Sequence, residues 1–137
     1  MGERRKGREF ALQILYAYDS SKLELNEVLK SFWITNTEFS EDIKTFTEEI
    51  VRGTCSRIEE IDSIIGTHST NWKVSRMGIV DRNILRFAVY ELLWRPDIPV
   101  RVTLNEAIEV AKQYGTEDSG SFINGVLDKV AKTVNKE

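Results

Sequence analysis

At 137 residues, 41% hydrophobic and 30% charged, with a net charge of −3, the chain has the size and composition of one globular domain that buries about two thirds of its unfolded surface. A single cysteine, Cys55, and a single histidine, His68, exclude an intramolecular disulfide and leave no ligand set for a structural metal, so no cofactor is expected. The acidic balance excludes a generally basic nucleic-acid coat. A charged N-terminus without an apolar core, and the lack of any apolar run of membrane length, point to a cytoplasmic protein with no membrane partner.

The positive charge is gathered at one end. Arg4, Arg5, Lys6 and Arg8 against Glu3 give residues 1–8 a local +3, which leaves −6 for the remainder. On a continuous helix Arg4, Arg8, Ala11 and Leu15 share nearly one azimuth, and Ile14 and Tyr18 widen that stripe. Charged heads do not enter a core unpaired, so residues 1–8 are expected to project as a basic N-terminal extension, or to stay disordered until an anion meets them. A solvated tail is the plainer alternative.

Asp19, Ser20 and Ser21 read as the end of the first helix. Leu25, Val28, Leu29, Phe32 and Trp33 define a second, and a third carries Ile43, Phe46, Ile50 and Val51 behind Ser40 as N-cap, with Glu41 and Asp42 in its first turn. Gly53 reads as an interruption before a fourth helix marked by Ile58, Ile61, Ile64 and Ile65, with Glu59, Glu60 and Asp62 on a solvated face. Asn71–Gly78, including Trp72 and Met77, is a joint. It feeds the stretch Ile79–Trp94, IVDRNILRFAVYELLW, whose apolar residues cover too much of the helical wheel for burial along one side. The other helices are expected to coat it, with Arg82, Asn83 and Arg86 as its wet edge and Asp81 and Glu91 elsewhere.

Pro96 and Pro99 stop that central helix. Val100–Val102 reads as extended linker, Thr103 and Glu106 as a capping box, and Leu104, Ala107, Ile108, Ala111 and Tyr114 as the sixth stripe, ended by Gly115. Thr116 is the expected N-cap of a last helix bearing Phe122, Ile123, Val126, Leu127, Val130 and Val134, in which Gly125 would permit close helix contact. The prediction is an all-α bundle of about seven helices.

Catalytic chemistry is not advertised. The glycines build no phosphate loop. Cys55 and His68, the one conceivable nucleophile pair, stand more than three helical turns apart, and the acids among the isoleucines of the fourth helix have no partner base. A binding module is expected, not an enzyme.

Three segments carry a resemblance: RRKGREFALQILYAYD near the start, VDRNILRFAVYEL in the middle, and IPVRVTLNEAIEVAKQYGTEDSGSFINGVLDKV in the final third. Together they resemble the NusB family of transcription antitermination factors over most of the chain. The resemblance implies two three-helix subdomains and a protein that pairs with ribosomal protein NusE to bind the boxA single-stranded RNA of nascent ribosomal transcripts within the RNA polymerase antitermination complex. It assigns RNA contact to Arg4, Arg5, Lys6 and Arg8, to Tyr16, and to Asp118 and Phe122, and contact with either RNA or NusE to Asp81. Each has a structural alternative: Tyr16 and Phe122 as packing, Asp118 as a complement to the helix dipole. Ser119, Gly120 and Ser121 supply no positive charge where some relatives carry one. Four cations at one helix end imply a single-strand salt slope of up to roughly −3. A homodimer stays open, as do an RNA-binding domain of the kind attached to RNA methyltransferases and a helical module that binds only protein; a chain ending at Glu137 favours the free factor.

Overall fold

The computed structural model describes residues 2–69 and 73–136. Its helices are α1 (Gly2–Ser21), α2 (Leu25–Thr35), α3 (Glu41–Ser56), α4 (Ile58–His68), α5 (Ile79–Trp94), α6 (Val100–Tyr114) and α7 (Ser119–Ala131), with one 3-10 turn at Val74–Arg76. No strand occurs among the described residues. Of the expected joint, Asn71 and Trp72 lie outside the described residues, while Met77 is buried.

The central stretch behaves as its composition demands. α5 packs against α1, α3, α4, α6 and α7, and Ile84, Leu85, Ala88 and Val89 are fully buried. Side chains on every side of the helix therefore meet a neighbour. α1 packs with α2 and α3, α6 pairs with α7 and also touches α1, and α4 touches α3, α5 and α7. Ser40 caps α3 as expected, its hydroxyl accepting from the Ile43 amide at 3.1 Å. At the other end of the core, Lys136 Nζ donates to the carbonyls of Glu91 (2.9 Å) and Arg95 (2.7 Å), satisfying the last turn of α5.

The polar stripe of α5 is not a wet edge. Asn83 is fully buried; Arg82 Nε donates to Asp19 Oδ2 at 2.7 Å, and Arg86 reaches the same oxygen at 3.0 Å while forking onto both Asp62 oxygens at 2.8 Å. The stripe is a polar seam that ties α5 to α1 and α4. Asp62 thus leaves its expected solvated face, and Asp19 lies in the last turn of α1, which ends at Ser21 as expected, followed by Lys22 in the left-handed region, φ 63°. Burial alone would raise the pKa of Asp19, but hydrogen bonds from Arg82 and Asn83 and the two guanidinium charges outweigh it and hold the carboxyl below its ordinary 3.8.

Local signals misled at four other places. α6 begins at Val100, directly after Pro99, so Val100–Val102 is a helical turn and Thr103 and Glu106 form no capping box. Both are buried and serve other helices: Thr103 donates to Glu91 Oε1 at 2.8 Å, and Glu106 receives Arg5. Thr116 does not cap α7 with its side chain; its amide donates instead to Ser119 Oγ at 2.9 Å. Gly53 interrupts nothing, since α3 continues to Ser56. Its missing side chain admits the ring of Tyr90, whose Cζ would stand 2.1 Å from a Cβ there, whereas Gly125 has nothing within 4 Å. The close helix contact is at Gly53.

Candidate nucleic-acid interface

Successive residues of a helix point about 100° apart, and the four N-terminal cations accordingly go to different places. Residues 2–8 are the opening turns of α1, not an extension from it. Arg4 is exposed, its guanidinium 4.7 Å above the Phe46 ring of α3 in a recess that also holds Glu3, Asp42 and Glu49. Arg5 forks onto Glu106 of α6, with Nε and Nη2 at 2.9 and 2.8 Å from the carboxylate oxygens. Lys6 reaches out half-exposed, 3.7 Å from Glu9 and 5.0 Å over the Phe10 ring.

Arg8 corrects the expectation that the whole basic turn projects from the bundle, because it enters the core paired. Its side chain is 2% exposed and forks onto the fully buried Glu91 of α5 at 2.7 and 2.9 Å. The carboxylate is held in turn by Thr103, so both charges are paired and hydrogen-bonded within the protein. Arg8 is placed inside, away from any phosphate.

Arg5, Lys6, Glu9, Gln13 and Tyr16 fall within an arc of about 100° on α1. This face runs along α6: Gln13 Nε2 donates to Tyr114 Oη at 3.5 Å, and that hydroxyl donates to Glu9 Oε1 at 3.3 Å. Desolvation, with the charge of Glu9, raises the Tyr114 pKa, so the phenol stays protonated and able to donate. Hydrogen bonds from Arg5, against a smaller burial penalty, hold the Glu106 carboxyl below its ordinary 4.5. Tyr16, one turn beyond Gln13, is 45% exposed. Its ring is free for stacking in a way that a buried aromatic is not.

The short turn after Tyr114 leads from α6 into α7. There a cleft of about 300 Å³ is lined by Arg76, Met77, Gly78, Asp81, Asp118 and Phe122. It brings together Asp81, Asp118 and Phe122 from separate parts of the sequence. Asp118 is exposed and its side chain caps nothing; Phe122 is half-buried against the core with its remaining surface in the cleft. Asp81 Oδ1 accepts from Ser119 Oγ at 2.6 Å.

With this geometry in hand, the relatives are informative. The model of the NusB family matches residues 5–132. The chain belongs to the NusB family. It is 45% identical to the transcription antitermination protein NusB of Thermodesulfovibrio yellowstonii, over 95% of this chain and 92% of that protein. Its identity to the NusB of Geobacter sulfurreducens is 48%, over 98% of this chain and 97% of that one. Among solved structures, NusB of T. maritima superposes with a TM-score of 0.86 at 38% identity, covering 94% of this chain and 90% of that one. A NusB chain in a crystal structure of the antitermination factors NusB and NusE with double-stranded RNA superposes at 0.89, with 30% identity and coverage of 97% and 98%. The NusB family is one of transcription antitermination proteins, not of enzymes.

On the NusB fold the arrangement offers two kinds of contact. The α1 face supplies cations and a stacking ring, and the cleft supplies two carboxylate acceptors beside the apolar walls of Met77 and Phe122. Sequence reasoning missed Arg76, which sits in an aperiodic joint, and Ser119, read only as a position lacking charge. A hydroxyl three residues after Thr116, at a helix start, was the available signal for Ser119. No group of three or more metal-ligating side chains occurs among the described residues, and no described helix is long and apolar enough to cross a membrane.

Proposed function

We propose that this protein binds boxA RNA of nascent ribosomal transcripts in the cytoplasm together with NusE, as a component of the RNA polymerase antitermination complex. The observation that carries the reading is the exposed face of α1, where Lys6, the outer half of Arg5 and the Tyr16 ring share one arc, with the cleft of Asp118 and Phe122 as a second surface. In this reading Lys6 and Arg5 meet phosphates and Tyr16 stacks on an unpaired base. Asp118 accepts from base edges and Phe122 covers an apolar base face. Asp81 contributes on the same side, to RNA or to NusE.

With Arg8 internal and Arg4 turned to the Phe46 side, two cations on this face, Lys6 and Arg5, remain for phosphates, so the single-strand salt slope is about −1.4 or shallower. Electrostatics of that size gives modest affinity, and NusE supplies the rest of the surface. The test is binding of labelled boxA RNA against a scrambled RNA of equal length, with and without NusE. Selective binding that strengthens with NusE is the expected result. Equal weak binding of both RNAs, indifferent to NusE, contradicts the reading and favours a protein-only module.

A further inference from the structure

Ser119 is the first residue of α7 and is 1% exposed, yet its hydroxyl is the most heavily used polar group in the turn that carries Asp118. It donates to Asp81 Oδ1 at 2.6 Å and accepts from the Thr116 amide at 2.9 Å, with Thr116 Oγ1 a further 3.2 Å away. One oxygen thereby fastens the α6–α7 turn to the start of α5. The backbone is shaped around it: a Cβ on Gly115 would stand 2.5 Å from Ser119 Oγ and 2.9 Å from the Ala111 carbonyl, so the hydroxyl occupies space that only glycine leaves.

The consequence lies in the neighbours. Asp118 adjoins Ser119 in the chain, Phe122 follows one turn later with its amide on the Asp118 carbonyl at 3.2 Å, and Asp81 is the acceptor itself. All three line the same cleft. Asp118 makes no capping bond of its own, so its placement depends on the backbone that Ser119 pins.

We propose that Ser119 is a positioning residue for base selectivity: it touches no RNA, and it fixes Asp118 and Phe122 against Asp81 so that the cleft is preformed. This deepens the boxA reading and rests on it. The α1 face makes no use of Ser119, so the two parts of RNA binding separate. Ser119→Ala is expected to cut the preference for boxA over scrambled RNA about tenfold, leaving affinity for scrambled RNA and the salt slope unchanged. A merely structural role would lower both affinities together.

The experiment measures both RNAs at several salt concentrations for the wild type, Ser119→Ala, Asp118→Ala/Phe122→Ala, and the triple variant, below the thermal midpoint of each. In the double-variant background the added Ser119→Ala should change selectivity no further, because it acts through those residues. An unchanged preference in Ser119→Ala, or an equal further loss in the triple variant, overturns the proposal. A wild type without preference for boxA overturns the boxA reading itself, and the proposal with it. Should Ser119→Ala prove too unstable to assay, Ser119→Cys, which fills the same site but weakens the hydrogen bonds to Asp81 and to the Thr116 amide, must reproduce the selectivity loss; full selectivity there overturns the proposal equally.

Discussion

Lys6 and Arg8 stand two positions apart in a run of similar charges, and the fold gives them opposite roles. Arg8 faces Glu91 across the core at a separation of 83 residues, and neither charge reaches water. A buried pair of this kind adds little net stability, but removing one partner strands the other. Arg8→Ala should therefore cost about 3–5 kcal/mol in denaturant unfolding, while Lys6→Gln, at a half-exposed site with a loose partner, should leave the unfolding midpoint within error. Neutralising all four N-terminal cations together would thus lower the melting temperature, and such a variant could not isolate RNA contact. The sequence indicated that a cation shares the azimuth of Ala11 and Leu15. It held no sign of which acid waits opposite, because Glu91 becomes a partner only once α1 and α5 pack.

Elements were legible for the same reason that ion pairs were not. The 3.6-residue period of apolar side chains is written locally, so all seven helices and the central place of α5 follow from it. What local pattern could not show is which polar residue prefers a distant partner to a nearby amide. Thr103 and Glu106 have the spacing of a capping box, yet Glu91 and Arg5 claim them and α6 starts a turn earlier. The cleft was visible only as three unconnected residues, since α5 and α7 had first to be brought together.

Two predictions belong at this scale. Gly53→Ala should destabilise the protein by about 1–3 kcal/mol through the clash with Tyr90, and Gly125→Ala, in open space at an exposed position of α7, should stabilise it by about 0.5–1 kcal/mol; denaturation midpoints check both. Asp19 and Glu106 have folded pKa values below their ordinary 3.8 and 4.5. Their contribution is complete above those ordinary values and is lost as pH falls through the lowered ones. Unfolding midpoints should hold from neutral pH down to about 4.5 as far as these groups are concerned, then drop below it. Asp19→Asn should start lower at neutral pH and show a shallower acid loss.

For the whole molecule, the bundle packs α1, α6 and α7 around α5 and presents both the α1 face and the α7 cleft. Net charge is −3, so in the proposed reading attraction to RNA is local to the α1 face and no general coat contributes. In the proposed reading few contacts carry affinity, and NusE completes the surface. The most direct measurement is the salt dependence of boxA RNA binding by Lys6→Gln/Tyr16→Ala in the presence of NusE, beside the wild type. Affinity should fall at least about tenfold, since a base–aromatic stack alone contributes about 1–3 kcal/mol. The slope should lose about 0.7 for the one phosphate contact removed, with the melting temperature unmoved. Wild-type affinity and slope in that variant would contradict the assignment of the α1 face to RNA.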